Sequence, residues 1–241
     1  MFKIKIADTV FEIHNLYPFL EALCKNYIYN GEKTDFVIIS TQEAIDSERL
    51  ILSDEHPKVD AYIENICVYR QIALKLLEVD AFVMHAATIG VGDKAYAFTA
   101  KSGTGKSTHT SNWLKYIQGT ELINDDNPVV RVFANGDIRV FGSPWSGKTP
   151  CYKNVFAEVA GFLQLKQAPY NRIERMSIVD GFAALLPSCS VMKWDRRDYV
   201  GVCDTVSKML EQIPVFFLEN LPNEEACRLS YSMLSGEKDY A

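Results

Sequence analysis

No apolar run in this 241-residue chain approaches the roughly 20 residues needed to span a bilayer, which excludes a helical membrane anchor from the expected organisation. Basic residues are outnumbered, 25 Lys and Arg against 31 Asp and Glu. The net charge of −6 and pI of about 5.3 exclude the basic surface that non-specific nucleic-acid binding requires. Cysteines are few and scattered: Cys24, Cys67, Cys151, Cys189, Cys203 and Cys227 form no Cys-x-x-Cys pair. Most have apolar neighbours and read as reduced core residues, not as a metal–thiolate site. The first residues, Met1 to Asp8, alternate like a strand and lack a signal peptide's apolar region, so the expected location is the cytoplasm. Internal repeats, low-complexity runs and linkers are absent too.

What is there describes an ordinary globular protein, 48% hydrophobic and 23% charged, with enough chain for a sizeable core. Residues 2–6 and 10–13 read as a hairpin, 16–27 as a helix, and 35–40 as a buried strand. Over 57–77 the apolar residues Val59, Tyr62, Ile63, Ile66, Tyr69, Ala73, Leu76 and Leu77 recur at a helical period. An apolar stretch from Ala81 to Gly90, a turn at Gly92-Asp93 and a strand over 94–99 make a second hairpin. A helix to about Ile117 follows, then strands over 122–126, 129–133 and 138–141, an ordered loop over 142–153, and a buried strand over 156–165. Helices over 177–186 and 198–213, a strand over 215–218 and a helix over 222–234 complete the chain. Strands and helices interleave, yet several strands connect as hairpins. The expected fold class is therefore α/β with a mixed, largely hairpin-connected sheet and flanking helices. Residues 1–79 form a small N-terminal α/β subdomain in this reading, and 80–241 the catalytic domain.

Residues 100 to 108, Ala-Lys-Ser-Gly-Thr-Gly-Lys-Ser-Thr, dominate the centre of the chain. They follow an apolar strand and open a helix, the context of a phosphate-binding loop. Backbone N–H groups and the helix dipole would cradle phosphates, Lys106 would add a full charge, and the Ser107 hydroxyl would ligate Mg²⁺. Ala100 stands where the consensus has its first Gly. The nucleotide-binding residues are Ser102, Gly103, Thr104, Gly105, Lys106, Ser107 and Thr108.

Downstream, the strand before Asn124 ends in Asp125 and Asp126. Two carboxylates beside a phosphate loop can divide labour, one holding the metal and the other taking a proton from an attacking hydroxyl; the same residues also suit a plain turn. His85 in its apolar strand reads, alone, as a core residue. His109 on the first turn of the loop's helix is expected to face solvent. The segment from Gly142 to Lys148 offers a lysine in a glycine-bounded loop, either for charge neutralisation or as plain surface. Lys193, Arg196 and Arg197 around Trp194 read as a solvated helix start or an anion contact.

The order His85-Ala-Ala, Ser102 to Thr108, Asn124-Asp-Asp, then Gly142-Ser-Pro-Trp-Ser-Gly-Lys resembles the HPr kinase/phosphorylase catalytic domain. It resembles equally the superfamily that domain shares with phosphoenolpyruvate carboxykinases. The resemblance implies ATP and Mg²⁺ as cofactors, Lys106 on the β- and γ-phosphates, and Ser107 and Asp126 on the metal. It implies Asp125 as general base, His85 beside the phosphates and the Asp pair, and Lys148 facing the nucleotide. Ala86 replaces a family Gly, and the glycine-rich signature after the Asp-Asp strand has only a faint counterpart in Ala157 to Gly161. The chain is also too short for a carboxykinase's large N-terminal domain, so neither HPr recognition nor oxaloacetate decarboxylation is expected.

The expected activity is a kinase transferring the γ-phosphoryl group to a hydroxyl on a protein, peptide or small molecule. A nucleotide-responsive regulatory module without transfer, or a nucleotide-hydrolysing switch, are the competing expectations. Homo-oligomerisation is open, since relatives in the superfamily include oligomers.

Overall fold

The computed structural model describes residues 1–54, 56–101, 103–147, 151–191 and 196–236. Strands β1 (Phe2–Ile6) and β2 (Thr9–His14) form the expected antiparallel hairpin, closed through Ala7 and Asp8 with φ of 49° and 58°. That left-handed pair matches the twist of a two-residue hairpin turn. The expected helix over 16–27 is shorter. Helix α1 (Phe19–Leu23) stops at Cys24 and a 3-10 turn covers Lys25–Tyr27. Leu16 and Tyr17 are held outside it, because their N–H groups donate to the fully buried Glu64 carboxylate.

Strand β3 (Phe36–Ile39) pairs parallel with β2 as an edge, and Val37 and Ile39 are exposed. The buried strand expected here is half buried, as an edge strand is. Helix α2 (Gln42–Ile51), capped by the Thr41 hydroxyl, escaped the sequence reading. Helix α3 (Asp60–Leu77) is the long periodic one, and its buried face includes Ile63, Val68, Ile72 and Leu76.

The apolar stretch expected as one strand is broken in two. Strand β4 (Ala81–Val83) ends, residues 84–86 form a link, and β5 (Ala87–Val91) begins; β5 then pairs antiparallel with β6 (Lys94–Thr99). Helix α4 (Lys106–Tyr116), β7 (Thr120–Asn124), β8 (Val129–Val132), β9 (Ile138–Phe141) and the long β10 (Phe156–Gln167) follow. A further strand not read from sequence, β11 (Arg172–Arg175), precedes α5 (Ile178–Leu185), α6 (Arg196–Leu210), β12 (Val215–Asn220) and α7 (Glu224–Ser235).

Nine of these strands form one mixed sheet. Its main path runs β4-β8-β9-β10-β6-β5-β7, with β12 beside β10 and β11 beside β12. β6, β10 and β12 are mutually parallel; the hairpin pairs are antiparallel. Residue alternation on β6 sorts the two faces. Ala95 and Ala97 join a cluster with Val202, Val206 and Met209 of α6, whereas Tyr96 and Phe98 join Trp113 of α4 and Tyr231 of α7. A third cluster draws Ile4, Phe11 and Ile13 of the small sheet together with Val68 and Leu76 of α3, Val83 and Val129 of the large sheet, and Trp145 of the loop after β9.

Strand order fixes the shape. β4 and β5 are successive in sequence yet five strand spacings apart along the path, roughly 24 Å if the sheet were flat. The link at residues 84–86 can reach only about 14 Å from the last Cα of β4 to the first of β5. The sheet therefore curls until its ends approach. A second short link, residues 125–128, joins β7 at one end to β8 near the other. The two links lie side by side, with Met84 N–H donating to Pro128 O at 3.0 Å and Ala86 N–H to Asp126 O at 3.1 Å. No helix among the described residues is long and apolar enough to cross a membrane.

Candidate functional site

These two links carry His85, Asp125 and Asp126, so the curl of the sheet brings the sequence-selected residues together. His85 Nδ1 lies 3.1 Å from Asp126 Oδ1, and the imidazole is half exposed. The core reading of His85 is thereby overturned. Its backbone is fixed by an N–H donated to Ser188 O at 2.6 Å, and the break in the strand turns the ring outward.

Asp126 is held on both oxygens. Asn127 Nδ2 donates to Oδ2 at 2.8 Å, and Asn127 Oδ1 in turn accepts from Tyr69 Oη on α3 at 2.9 Å. Burial alone would push the Asp126 carboxyl up. The His85 hydrogen bond and charge, the Lys106 ammonium and the Asn127 amide outweigh it and hold the carboxyl below its ordinary range. Asp125 Oδ1 accepts the N–H of Gly147 at 2.6 Å. A Cβ on Gly147 would stand 3.2 Å from both Asp125 Oδ2 and Asp126 Cβ, so glycine permits the loop to lie against the pair.

Asn124 stands directly before the Asp pair. It is fully buried and clamps the link. Its Oδ1 accepts the N–H groups of Asp126 (2.9 Å) and Asn127 (2.8 Å), the turn geometry typical of Asn. Its Nδ2 donates to Ser143 O at 3.3 Å and Trp145 O at 3.2 Å. Ser143 Oγ donates to Asn127 O at 2.6 Å, while Trp145 Nε1 reaches Asn65 and its ring meets Tyr69 edge-on at 5.1 Å. An Asn at a strand end before two Asp is the one sequence signal that could have pointed to this clamp.

The other half of the site is the turn between β6 and α4. Thr104 N–H donates to Lys101 O at 3.1 Å, and Gly103 and Gly105 have φ of 78° and 95°. Those angles favour glycine at both places. Helices α2, α5 and α7 begin with a side-chain cap and carry an acidic residue in the first turn; α4 has neither. Its first N–H groups, which no intrahelical carbonyl can satisfy, and its dipole are left for an anion. Lys106 begins this helix. Its Nζ is buried and has no hydrogen-bond partner among the described residues. Burial pushes its ammonium below the ordinary lysine range, against the opposing pull of Asp126 and Asp125. A buried cation without a hydrogen-bonding partner suits an anionic ligand.

Ser107 and Thr108 are exposed on the first turn of α4. Ser102 and Lys148 lie outside the described residues, as does Lys193; Arg196 and Arg197 start α6. His109 does not face solvent. It is 2% exposed, packs edge-on to Phe98 at 5.2 Å, and its Nε2 lies 3.0 Å from Ser230 Oγ and 3.1 Å from Trp113 Nε1. Its direction follows from helical periodicity: three residues after Lys106, it turns under the helix toward Trp113 one turn on. Among the described residues no group of three or more His, Cys, Asp or Glu gathers to hold a metal. A Mg²⁺ held by one or two carboxylates plus ligand oxygens and water needs no such group.

No family model matches this chain, and no curated protein matches it. Among solved structures, it is similar to the HPr(Ser) kinase/phosphatase from Coxiella burnetii, at 12% sequence identity and a TM-score of 0.35. That similarity covers 64% of this chain and 93% of the other.

Proposed function

We propose that the protein is an ATP- and Mg²⁺-dependent phosphotransferase that moves the γ-phosphoryl group to a hydroxyl on a protein, peptide or small molecule. The observation that carries this reading is the buried Lys106 ammonium, without a hydrogen-bond partner among the described residues, between an uncapped helix start and two carboxylates. A phosphate group fits there as the missing partner.

In this reading the Gly103–Thr108 turn and Lys106 position the phosphates and balance their charge, which is most of what phosphoryl transfer needs from a protein. Asp126 and the Ser107 hydroxyl would hold Mg²⁺, which when bound neutralises charge on the terminal phosphates. His85 and Asn127, one on each oxygen, fix the carboxylate of Asp126. Asp125, whose Oδ1 is tied to the Gly147 N–H, takes the proton of the acceptor hydroxyl through its carboxylate. Lys148, next in sequence after Gly147, would add positive charge at the nucleotide.

Asp125→Asn tests the assignment. Phosphoryl transfer to a competent acceptor should fall by a factor on the order of 10² to 10⁴, with nucleotide affinity kept within a few-fold. Lys106→Ala should abolish turnover and nucleotide binding together. Undiminished turnover in either variant overturns the proposed roles, and phosphate release without any acceptor would point instead to a hydrolytic switch.

A further inference from the structure

Beside the turn before α4 lies a groove of about 590 Å³ whose far wall none of the roles above uses. Its walls are Thr104, Gly105 and Thr108 on one side and Gln167, Ala168 and Asn220 on the other, with His109 and Pro222 completing it. The strands explain its place. β6, β10 and β12 run parallel, so their carboxyl ends open on one edge: Thr99 is in register with Gln164, and Gln167 with Asn220. Crevices at the carboxyl ends of parallel strands are where α/β sheets bind ligands.

The groove and the carboxylates flank the phosphate turn on opposite sides. β10 and β12 lie on one side of β6, whereas β5 and β7, which lead to Asp125 and Asp126, lie on the other. An elongated ligand with its phosphates in the turn and its terminal group toward the carboxylates must place its remaining part in the groove. The rim is built to stay in place. Ala168 N–H donates to Asn220 O at 3.1 Å, Asn220 Nδ2 to Leu221 O at 2.9 Å, and Leu221 N–H to Asn171 Oδ1 at 2.8 Å.

A second observation points the same way. His109 Nε2 lies 3.0 Å from Ser230 Oγ and 3.1 Å from Trp113 Nε1, and Nδ1 is buried without a partner among the described residues. A groove wall therefore contains an unanswered ring nitrogen.

We propose that this groove is a nucleoside site. The base would lie against Ala168 and Pro222, the amides of Gln167 and Asn220 would meet its polar edge, and the unpartnered ring nitrogen of His109 would add a polar contact. The chemistry fits: side-chain amides offer a donor and an acceptor side by side, the pattern a purine edge presents in return. The proposal rests on the phosphate-site reading above and adds what distinguishes a nucleotide from any other polyphosphate.

Calorimetric titration of the full chain with MgATP and with inorganic tripolyphosphate tests it. The parent should bind MgATP at least tenfold more tightly than tripolyphosphate. Ala168→Trp, which fills the groove and keeps the backbone hydrogen bond, should weaken MgATP at least tenfold and leave tripolyphosphate within twofold. Where the tryptophan unfolds the chain, judged by its circular dichroism, Gln167→Ala on an exposed side chain should weaken MgATP at least threefold, again without touching tripolyphosphate. Equal parent affinities for the two ligands, or an unchanged MgATP affinity in a folded variant, overturn the nucleoside site alone. A parent that binds neither ligand overturns the phosphate site and this proposal with it.

Discussion

His85 and His109 each take the fate opposite to the one their sequence surroundings suggest. His85 stands in an apolar strand, but the strand breaks there, and the ring emerges half exposed against Asp126. His109 stands on an open-looking first turn and is buried under it. Sequence reads neither correctly from local context, because a strand break and a helix's rotation about its axis are set by tertiary packing. Burial drops the His109 pKa to about 4. Its folded value lies below its unfolded one, so the unfolded chain gains a proton first as pH falls. Stability is therefore expected to be unaffected above about pH 6.5 and to decline from there to about pH 4, by up to about 3 kcal/mol. Denaturant titrations of the parent and His109→Gln across that range check it. The variant has no such proton to take up and should lose less; parallel pH profiles would refute the attribution.

Among the elements, the strongly periodic ones were legible and the ones defined by a neighbour were not. α3, the β1–β2 hairpin and the β5–β6 hairpin follow their periods and turn residues. α2 is amphipathic but short, and α1 is shorter than its sequence suggests because Glu64, a charge inside the α3 pattern, holds the chain before α1 outside the helix. β10 reads from sequence as buried, though not as the strand that pairs with three others. Its register shifts between Val159 and Gly161, and a Cβ at Gly161 would come within 2.6 Å of Leu234 Cδ2 on α7. Gly161→Ala is expected to cost about 1–3 kcal/mol by overpacking. Because the clash is with the end of a flexible side chain, Leu234→Val in the same molecule should recover part of that cost. Additive losses in the double variant, measured by urea unfolding, would contradict the contact.

At the scale of the molecule, the residues of the candidate site were legible as a list, and their meeting was not. The turn at Gly103 to Thr108 announces itself because strand, glycines, lysine and helix are contiguous. The proximity of His85 to Asp126 depends on the strand order, and nothing local in either link encodes that the sheet curls until its ends approach. The clamp through Asn124, Ser143, Tyr69 and Trp145 stayed hidden for the same reason: its partners come from three separate segments.

The closure of that sheet has a kinetic meaning. The β5–β6 and β8–β9 hairpins are local in sequence and can form early, whereas the pairing of the two links joins distant segments and must await the curl. Asn124→Ala leaves two backbone donors of the second link unanswered and should cost about 2–4 kcal/mol. That loss is expected almost wholly in a faster unfolding rate, with the refolding rate unchanged, the signature of contacts absent from the transition state. A chevron whose refolding arm slows instead would place the closure early. If it is late, the chain holds most of its fold before it holds any site, and chemistry is the last property that folding confers.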